Sequence, residues 1–474
     1  MWTGTTRPTG FWPVCCNTGR LVFKFLGRLR AAKLLFGRKL VTRIALSLAA
    51  VDPVTAFAAF AGDPFALLLD GASEPLGRGR YSYLCVRPRA VLRDASFADV
   101  AEALGETRET LPGLPPFQGG AAGMLAYDMA WELERLPGHQ PDDLGLPRLA
   151  FGLFDTIAAW DHAEGKAWVI GPPAEAEALR DQLQAADPLP PIDWSPKALL
   201  IPDRSPEAYQ AAIRRVVDYI HAGDIFQANL SQRWRGGMPD GLSPFMLYRR
   251  LRDLSPAPFA AYLGLGNDAV LSSSPERFLA LDRDGRVEAR PIKGTRPRGA
   301  NPAEDAALAA ELLASDKDRA ENLMIVDLMR NDLSRVCALG SVTVPELFTV
   351  EHFAQVHHLV SAVEGRLAPG LGPCQLLAAT FPPGSITGAP KVRGMEIIAE
   401  LEPQRRGPVF GAMGWIGWDG AMDMNVAIRT MTVSNGSVSV RAGGGIVAES
   451  DALAEYAETV LKAGAMLTSL EGKS

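Results

Sequence analysis

The chain has 474 residues, 47% of them hydrophobic and 22% charged, with a net charge of −6. That excludes a wholly disordered chain and gives no global sign of a nucleic-acid binder. The length supplies a large core and divides, on the average domain, into about three. The five cysteines are an odd number with no CxxC spacing, which argues against a disulfide framework or zinc ribbon and for a reducing, cytoplasmic compartment. No apolar run approaches the ~18 residues of a membrane span.

Residues 1–45 read as a basic extension. Up to Val51 there is no acidic residue, against nine basic ones from Arg7 to Arg43. A disordered tail, or a start codon placed too far upstream, explains this; a membrane-surface or targeting segment is the functional alternative. Residues 46–187 alternate short apolar runs with turn signals and read as an α+β part. Residues 188–204, with Pro188, Pro190, Pro191, Pro196 and Pro202, read as a connection.

Residues 205–474 form the second part. Ser205 can cap a helix with Pro206 at its first position, Tyr209, Ile213, Val216 and Ile220 recur at helical spacing, and Gly223 can end it. A strand follows in which Phe226, Ala228 and Leu230 face one way and Gln227, Asn229 and Ser231 the other. Polar residues between apolar runs suggest a lined cavity, although a solvated face is the ordinary reading. Residues 259–265 and 269–281 read as further strands. Irregular spacing of strands and helices favours α+β over a doubly wound fold.

Several residues could carry chemistry. Lys293 is by default a surface charge, but in a pocket near other cations it could lose its proton and act as a nucleophile. Glu276 follows Pro275, which should break the strand; a carboxyl there could be buried and serve as a general acid, or could pair with Arg277. Asp318 with Glu321, and Glu455 with Glu458, are i, i+3 pairs that each put two carboxylates on one helix face. Oxygen-only ligands of this kind suit Mg²⁺, while acidic first turns are the plain alternative. Gly443, Gly444 and Gly445, read as following a strand, could offer N–H groups to an anion or form a simple turn. Residues 383–391 could aim a helix N-terminus at a ligand. Lys462, four residues after Glu458, fits an ordinary helix ion pair. Arg429, read in a mostly apolar strand, would need a carboxylate or phosphate partner if buried.

Taken together, these segments resemble the chorismate-using family of anthranilate, isochorismate, salicylate and aminodeoxychorismate synthases. The matching stretches are residues 224–232, 274–278, 290–298, 319–332, 357–361, 383–395 and 442–462, in the family's order. Residues 117–127 resemble part of its variable first half, and residues 1–45 match nothing. The resemblance implies a large two-part α+β fold like that of anthranilate synthase, with antiparallel sheets packed face to face and helices outside.

The resemblance also implies roles. Water-adding members carry a lysine base where this chain has Gln227, and Gln cannot deprotonate water, which points to ammonia. Pro291-Ile292-Lys293-Gly294-Thr295 is most similar to the aminodeoxychorismate synthase branch; anthranilate synthases typically have Ala at the Lys position. The expected site has Glu321 and Glu458 on Mg²⁺ directly and Asp318 and Glu455 through water. Arg429, Lys462 and Gly443–Gly445 would hold carboxylate oxygens, His358 would lie near the ring, and Thr387 would lie in the pocket. Glu276 would protonate the departing C4 hydroxyl, Lys293 would attack C2, and ammonia would enter at C4 to give 4-amino-4-deoxychorismate, a precursor of 4-aminobenzoate and folate. A glutaminase needs a glycine-flanked nucleophilic Cys, and none of the cysteines is so placed, so ammonia is expected from a separate glutamine amidotransferase subunit or from solution. Leu68-Leu69-Asp70-Gly71 stands where tryptophan-inhibited anthranilate synthases carry Leu-Leu-Glu-Ser, which argues against tryptophan sensing. The same-family alternative is anthranilate synthase component I; a non-catalytic chorismate-binding regulatory subunit is the alternative of another class.

Overall fold

Short apolar runs with turn residues between them build antiparallel ladders, and here the ladders join into two sheets. The computed structural model describes residues 43–49, 51–71, 78–138, 140–352 and 356–472. The expected basic extension therefore lies almost wholly outside the described residues. One sheet runs, in order, Ile44–Ser47, Lys166–Gly171, Ile157–Asp161, Tyr81–Val86, Ala66–Asp70, Phe259–Gly264, Ala269–Ser274, Thr430–Ser434, Ser437–Ile446, Gln227–Gly237 and Gly388–Ala389. The other runs Ile292–Pro297, Val356–Arg366, Arg286–Ala289, Arg277–Leu281, Met422–Asn425, Ala412–Gly417, Gly120–Leu125, Leu149–Phe154 and Ala90–Arg93. Both sheets are shared by strands from before and after the proline-rich stretch: Leu68 pairs with Tyr262, and Gly123 pairs with Gly414.

The sheets pack face to face. Leu67, Tyr83 and Leu263 of the first meet Met124, Met413 and Trp415 of the second in one buried cluster. The outer face of the first sheet is covered by helices through Phe57, Leu251 and Met466, and that of the second through Ile325, Met329 and Leu376. The α+β class, the paired antiparallel sheets and the outer helices are as expected. No helix among the described residues is long and apolar enough to cross a membrane.

Local chemistry fixes the pieces that reach the site. Ser205 Oγ accepts from the Ala208 N–H at 3.2 Å and Pro206 opens the helix Pro206–His221, which buries Tyr209, Ile213 and Val216 against Ala228 and Leu230. Phe226 departs from the expected alternation: it precedes the strand Gln227–Gly237 and is 72% exposed. That strand is flanked by other strands and buried on both faces as far as Trp234, so its polar face is not solvated. The strands Ala269–Ser274 and Arg277–Leu281 belong to different sheets, so Pro275 and Glu276 stand where the chain crosses between them.

Candidate functional site

At that crossing Glu276 is 6% exposed. Burial pushes its carboxyl up to about 7, opposed by the neighbouring Ser385 hydroxyl and by the charges of Lys293 and Lys462. Ser385 thus presents its hydroxyl to this carboxyl. Arg277, the neighbour in sequence, pairs instead with Asp423 at 3.0 Å and Glu288 at 3.2 Å.

Lys293 lies on the edge strand Ile292–Pro297, half-buried. The register slips between Lys293 and Thr295, and Gly294 between them has φ of 77°, which makes a bulge that re-aims the lysine. A Cβ at Gly294 would meet Leu312 Cδ1 at 2.8 Å and Asp318 Cγ at 2.9 Å, so both conformation and space call for glycine. Among the described residues the Lys293 amine makes no hydrogen bond or ion pair. Burial holds its pKa below that of an ordinary lysine; Glu321, Glu276 and Glu458 oppose the shift and Lys462 adds to it. A lysine so placed gives up its proton more readily than an ordinary one, which favours a nucleophilic role.

The next strand, Val356–Arg366, brings in His358, with its Nδ1 3.0 Å from Thr295 Oγ1. Burial and the nearby Arg429 push His358 down to about 4, against a hydrogen bond to the Gly294 backbone, so the ring is neutral at physiological pH. Arg429 differs from expectation. It is exposed rather than buried, precedes the strand Thr430–Ser434, and has φ of 48°. No acceptor holds its guanidinium among the described residues, so it remains open to a ligand carboxylate.

The glycines lie inside the strand Ser437–Ile446 rather than after it, with Gly443, Gly444 and Gly445 opposite Ser231, Leu230 and Asn229. Their missing side chains make room for other groups. A Cβ on Gly445 would stand 2.3 Å from Gln227 Nε2, and one on Gly444 would lie 3.3 Å from Glu455 Oε2, 3.7 Å from Lys462 Nζ and 3.8 Å from Glu458 Oε1. Lys462 donates to the Gly443 carbonyl at 3.2 Å and pairs with Glu458 at 2.7 Å, as its helix spacing predicts. Gln227 is fully buried with neither amide atom partnered. Thr387 is also fully buried, but its hydroxyl turns to the carbonyls of Pro383 and Gly384 at 3.3 and 3.2 Å.

The acidic pairs lie at the starts of two helices, Asp316–Ser334 and Ala452–Glu471. Burial raises Glu321 and Glu455; Asp318 and Glu455 add to the first shift and Glu458 to the second. Burial also pushes Glu458 upward, but Lys462 and Lys317 outweigh it and leave it below the ordinary value. Asp318 is tied to Arg296 at 3.3 Å, and Glu455 Oε1 accepts from Ser450 Oγ at 2.7 Å. Among the described residues no three His, Cys or acidic side chains converge closely enough to hold an ion as they stand. The donor set nevertheless fits Mg²⁺ in kind: the side chains offer oxygen only, and burial, with a smaller contribution from neighbouring carboxylates, makes the ionised forms of Glu321 and Glu455 costly without a cation.

The structure thus gathers Lys293, Glu276, Glu321, Glu458 and Lys462 into one electrostatic neighbourhood, with His358 and Arg429 beside it. Sequence reasoning placed Asn229 on the polar strand face and Ser385 in the segment 383–391 without giving either a role; they are 6% and 7% exposed. It missed a buried network of Glu402, Arg406 and Arg441 behind the site. A separate cavity of about 370 Å³ is lined by Leu69, Asp70 and Gly71 among others. There Asp70 is paired with Arg252 at 2.5 Å and bonded by Tyr248 at 3.1 Å.

Residues 52–468 match the family described as chorismate binding enzyme. The chain is 44% identical over 445 residues to anthranilate synthase component 1 of Thermus thermophilus, covering 88% of this chain and 95% of that one. It is 45% identical over 356 residues to aminodeoxychorismate synthase component 1 of Escherichia coli, covering 75% and 78%. Its fold matches the crystal structure of anthranilate synthase component I from Streptococcus pneumoniae with a TM-score of 0.74 at 34% identity, over 82% of this chain and 92% of that one.

Proposed function

This chain belongs to the chorismate binding enzyme family and is a chorismate-utilising enzyme, and on that premise we propose that it aminates chorismate at C4 to 4-amino-4-deoxychorismate. The observation that carries this reading is Lys293: an unpaired amine with a lowered pKa, grouped with the protonatable Glu276 and accompanied by a neutral Gln227.

In this reading Arg429 and Lys462 take carboxylate oxygens of chorismate, which lets a chain of net charge −6 bind a dianion. Glu276 gives its proton to the C4 hydroxyl as that bond breaks. The Lys293 amine bonds to C2 as the double bond shifts, giving a covalent adduct. Ammonia then bonds to C4, the double bond returns, and the C2–N bond to Lys293 breaks. Neutral Gln227 cannot act as a base toward water, which disfavours hydration. Glu321 and Glu458, with Asp318 and Glu455 behind them, would hold Mg²⁺, which when bound supplies positive charge to the ring carboxylate. The partner is a glutamine amidotransferase subunit that supplies ammonia, and the product feeds 4-aminobenzoate and folate synthesis.

Incubating the purified chain with chorismate, Mg²⁺ and ammonium and resolving the products by mass tests the reading. An amino product that retains the enolpyruvyl group is expected. Anthranilate with pyruvate would replace this reading with anthranilate synthesis, which the extent of the match to the Thermus thermophilus protein favours.

A further inference from the structure

Glu276 is fixed by its backbone where the chain crosses between the sheets. Its N–H donates to Ser274 Oγ at 3.2 Å, and its carbonyl accepts from the Val426 N–H at 3.0 Å. Ser385 comes to it from the single turn Gly384–Ile386, which is pinned as well. The Ser385 carbonyl accepts from Asn229 Nδ2 at 3.4 Å, and the Ile386 carbonyl accepts from Arg406 Nη1 at 2.8 Å. A Cβ on Gly384 would stand 2.7 Å from Met329 Cε and 2.8 Å from Leu328 Cδ2, so the turn lies close against the helix Asp316–Ser334. Ser385 and Glu276 line one small cavity, just large enough for a water-sized molecule. Ser385 is buried, and among the described residues no other group takes its hydroxyl. A buried hydroxyl left without an acceptor is costly, and the carboxyl it faces is that of Glu276. Burial pushes this carboxyl up; among the groups that oppose the push, the Ser385 hydroxyl stands ahead of Lys293 and Lys462. The two lysines act on it as charges, whereas a hydroxyl also sets its direction.

We propose that Ser385 is a positioning residue for the acid: its hydroxyl donates to one oxygen of the Glu276 carboxyl and leaves the other to present the proton to the C4 oxygen. This rests on the reading of Glu276 as the acid given above. The step balances. The Glu276 O–H bond breaks as its proton bonds to the C4 oxygen, the C4–O bond breaks, and water leaves. The carboxylate left behind keeps the Ser385 hydrogen bond, which is stronger to the charged form than to the neutral one. The same contact therefore orients the acid before the transfer and stabilises its anion afterwards.

The test follows chorismate consumption by the full chain, with Mg²⁺ and ammonium saturating, as pH is varied. The limb of kcat/KM that falls with rising pH should move up by about one pH unit in Ser385→Ala, because the lost bond favoured the ionised carboxyl. On the acid side of that limb, where the carboxyl is protonated in both proteins, Ser385→Ala should still be slower by about tenfold, because the carboxyl is no longer held in line. Ser385→Thr keeps the hydroxyl and should return the limb to its parent position. Infrared titration of the Glu276 carboxyl in the free enzyme, against a Glu276→Gln reference, should show the same upward shift without turnover. If neither the limb nor the infrared midpoint moves in Ser385→Ala, or if Ser385→Thr fails to restore them, the proposal is overturned. A loss in rate that is equal at every pH marks a merely structural role and overturns it too. If the infrared midpoint moves and the limb does not, the contact holds and the reading of Glu276 as the acid fails. Product identity, read on the parent enzyme, judges the amination reading alone.

Discussion

Arg406 Nη2 stands 2.8 Å from Glu402 Oε1, and both side chains are almost wholly buried. Arg441 approaches the other oxygen, Oε2, at 3.1 Å, and Ser231 Oγ donates to Oε1 at 2.7 Å. From this anchor Arg406 reaches the backbone carbonyls of Asn229 at 2.6 Å and Ile386 at 2.8 Å. One carboxylate therefore ties the strand Gln227–Gly237 to the loop that carries Ser385 and Thr387. Removing it leaves two buried guanidiniums without their shared counter-charge. Glu402→Ala should cost about 3–5 kcal/mol of stability, measured by urea unfolding. A loss under about 1 kcal/mol would show that the network is dispensable.

The pH dependence of turnover should follow Glu276. The group must carry its proton to release the C4 hydroxyl, and burial pushes its pKa up to about 7. It is therefore half protonated near neutrality, and kcat/KM for chorismate should fall as pH rises beyond about 7. Lys293 acts in the opposite sense, because it must be neutral, and its lowered pKa makes the amine available at lower pH than for an ordinary lysine. A profile still climbing at pH 9 would exclude Glu276 as the acid. Lys293→Ala should abolish the covalent adduct and nearly all turnover.

Stability should respond to the same carboxyl with a definite sign. The folded pKa of about 7 lies above the ordinary glutamate value of 4.5, so between these values the folded chain holds a proton that the unfolded chain releases. The destabilisation therefore develops as pH rises through that window and is complete above about 7. Glu276→Gln removes the titration and should gain about 2–3 kcal/mol over the parent at pH 8 while losing activity. At pH 4, where both states of the parent are mostly protonated, the two proteins should unfold alike. Equal stability at both pH values would show that the carboxyl is not buried as described.

Helix chemistry made much of this legible in the sequence. The Ser205 cap, the first-position Pro206 and the ion pair of Glu458 with Lys462 are local rules, and the structure obeys them. The crossing at Pro275 was readable because proline cannot donate to a ladder. Arg429 was misread because its apolar neighbours suggested a strand, whereas a positive φ takes it out of the ladder and into the open. The placement of Gly443–Gly445 in mid-strand was hidden because what forces glycine there, the Gln227 amide and the Leu230 carbonyl, comes from another strand. The Glu402 network depends on tertiary contacts alone, and no spacing rule reports it.

Metal binding should separate the two members of the first acidic pair. The Asp318 carboxylate is occupied by Arg296 at 3.3 Å, whereas burial raises Glu321, which makes only a 3.9 Å approach to Lys317. Glu321 is thus the freer ligand, and Asp318 can act on the ion only from behind. Chelation should stop turnover and Mg²⁺ should restore it. Glu321→Gln and Glu458→Gln should each weaken Mg²⁺ binding in the presence of chorismate by roughly 100-fold or more by calorimetry, because each removes a charged oxygen donor. Asp318→Asn should weaken it by about tenfold, the scale of an outer-shell change. If Asp318→Asn is as damaging as Glu321→Gln, Asp318 must leave Arg296 and bind the ion itself, and the division of labour within the pair is the reverse of the one drawn from these contacts.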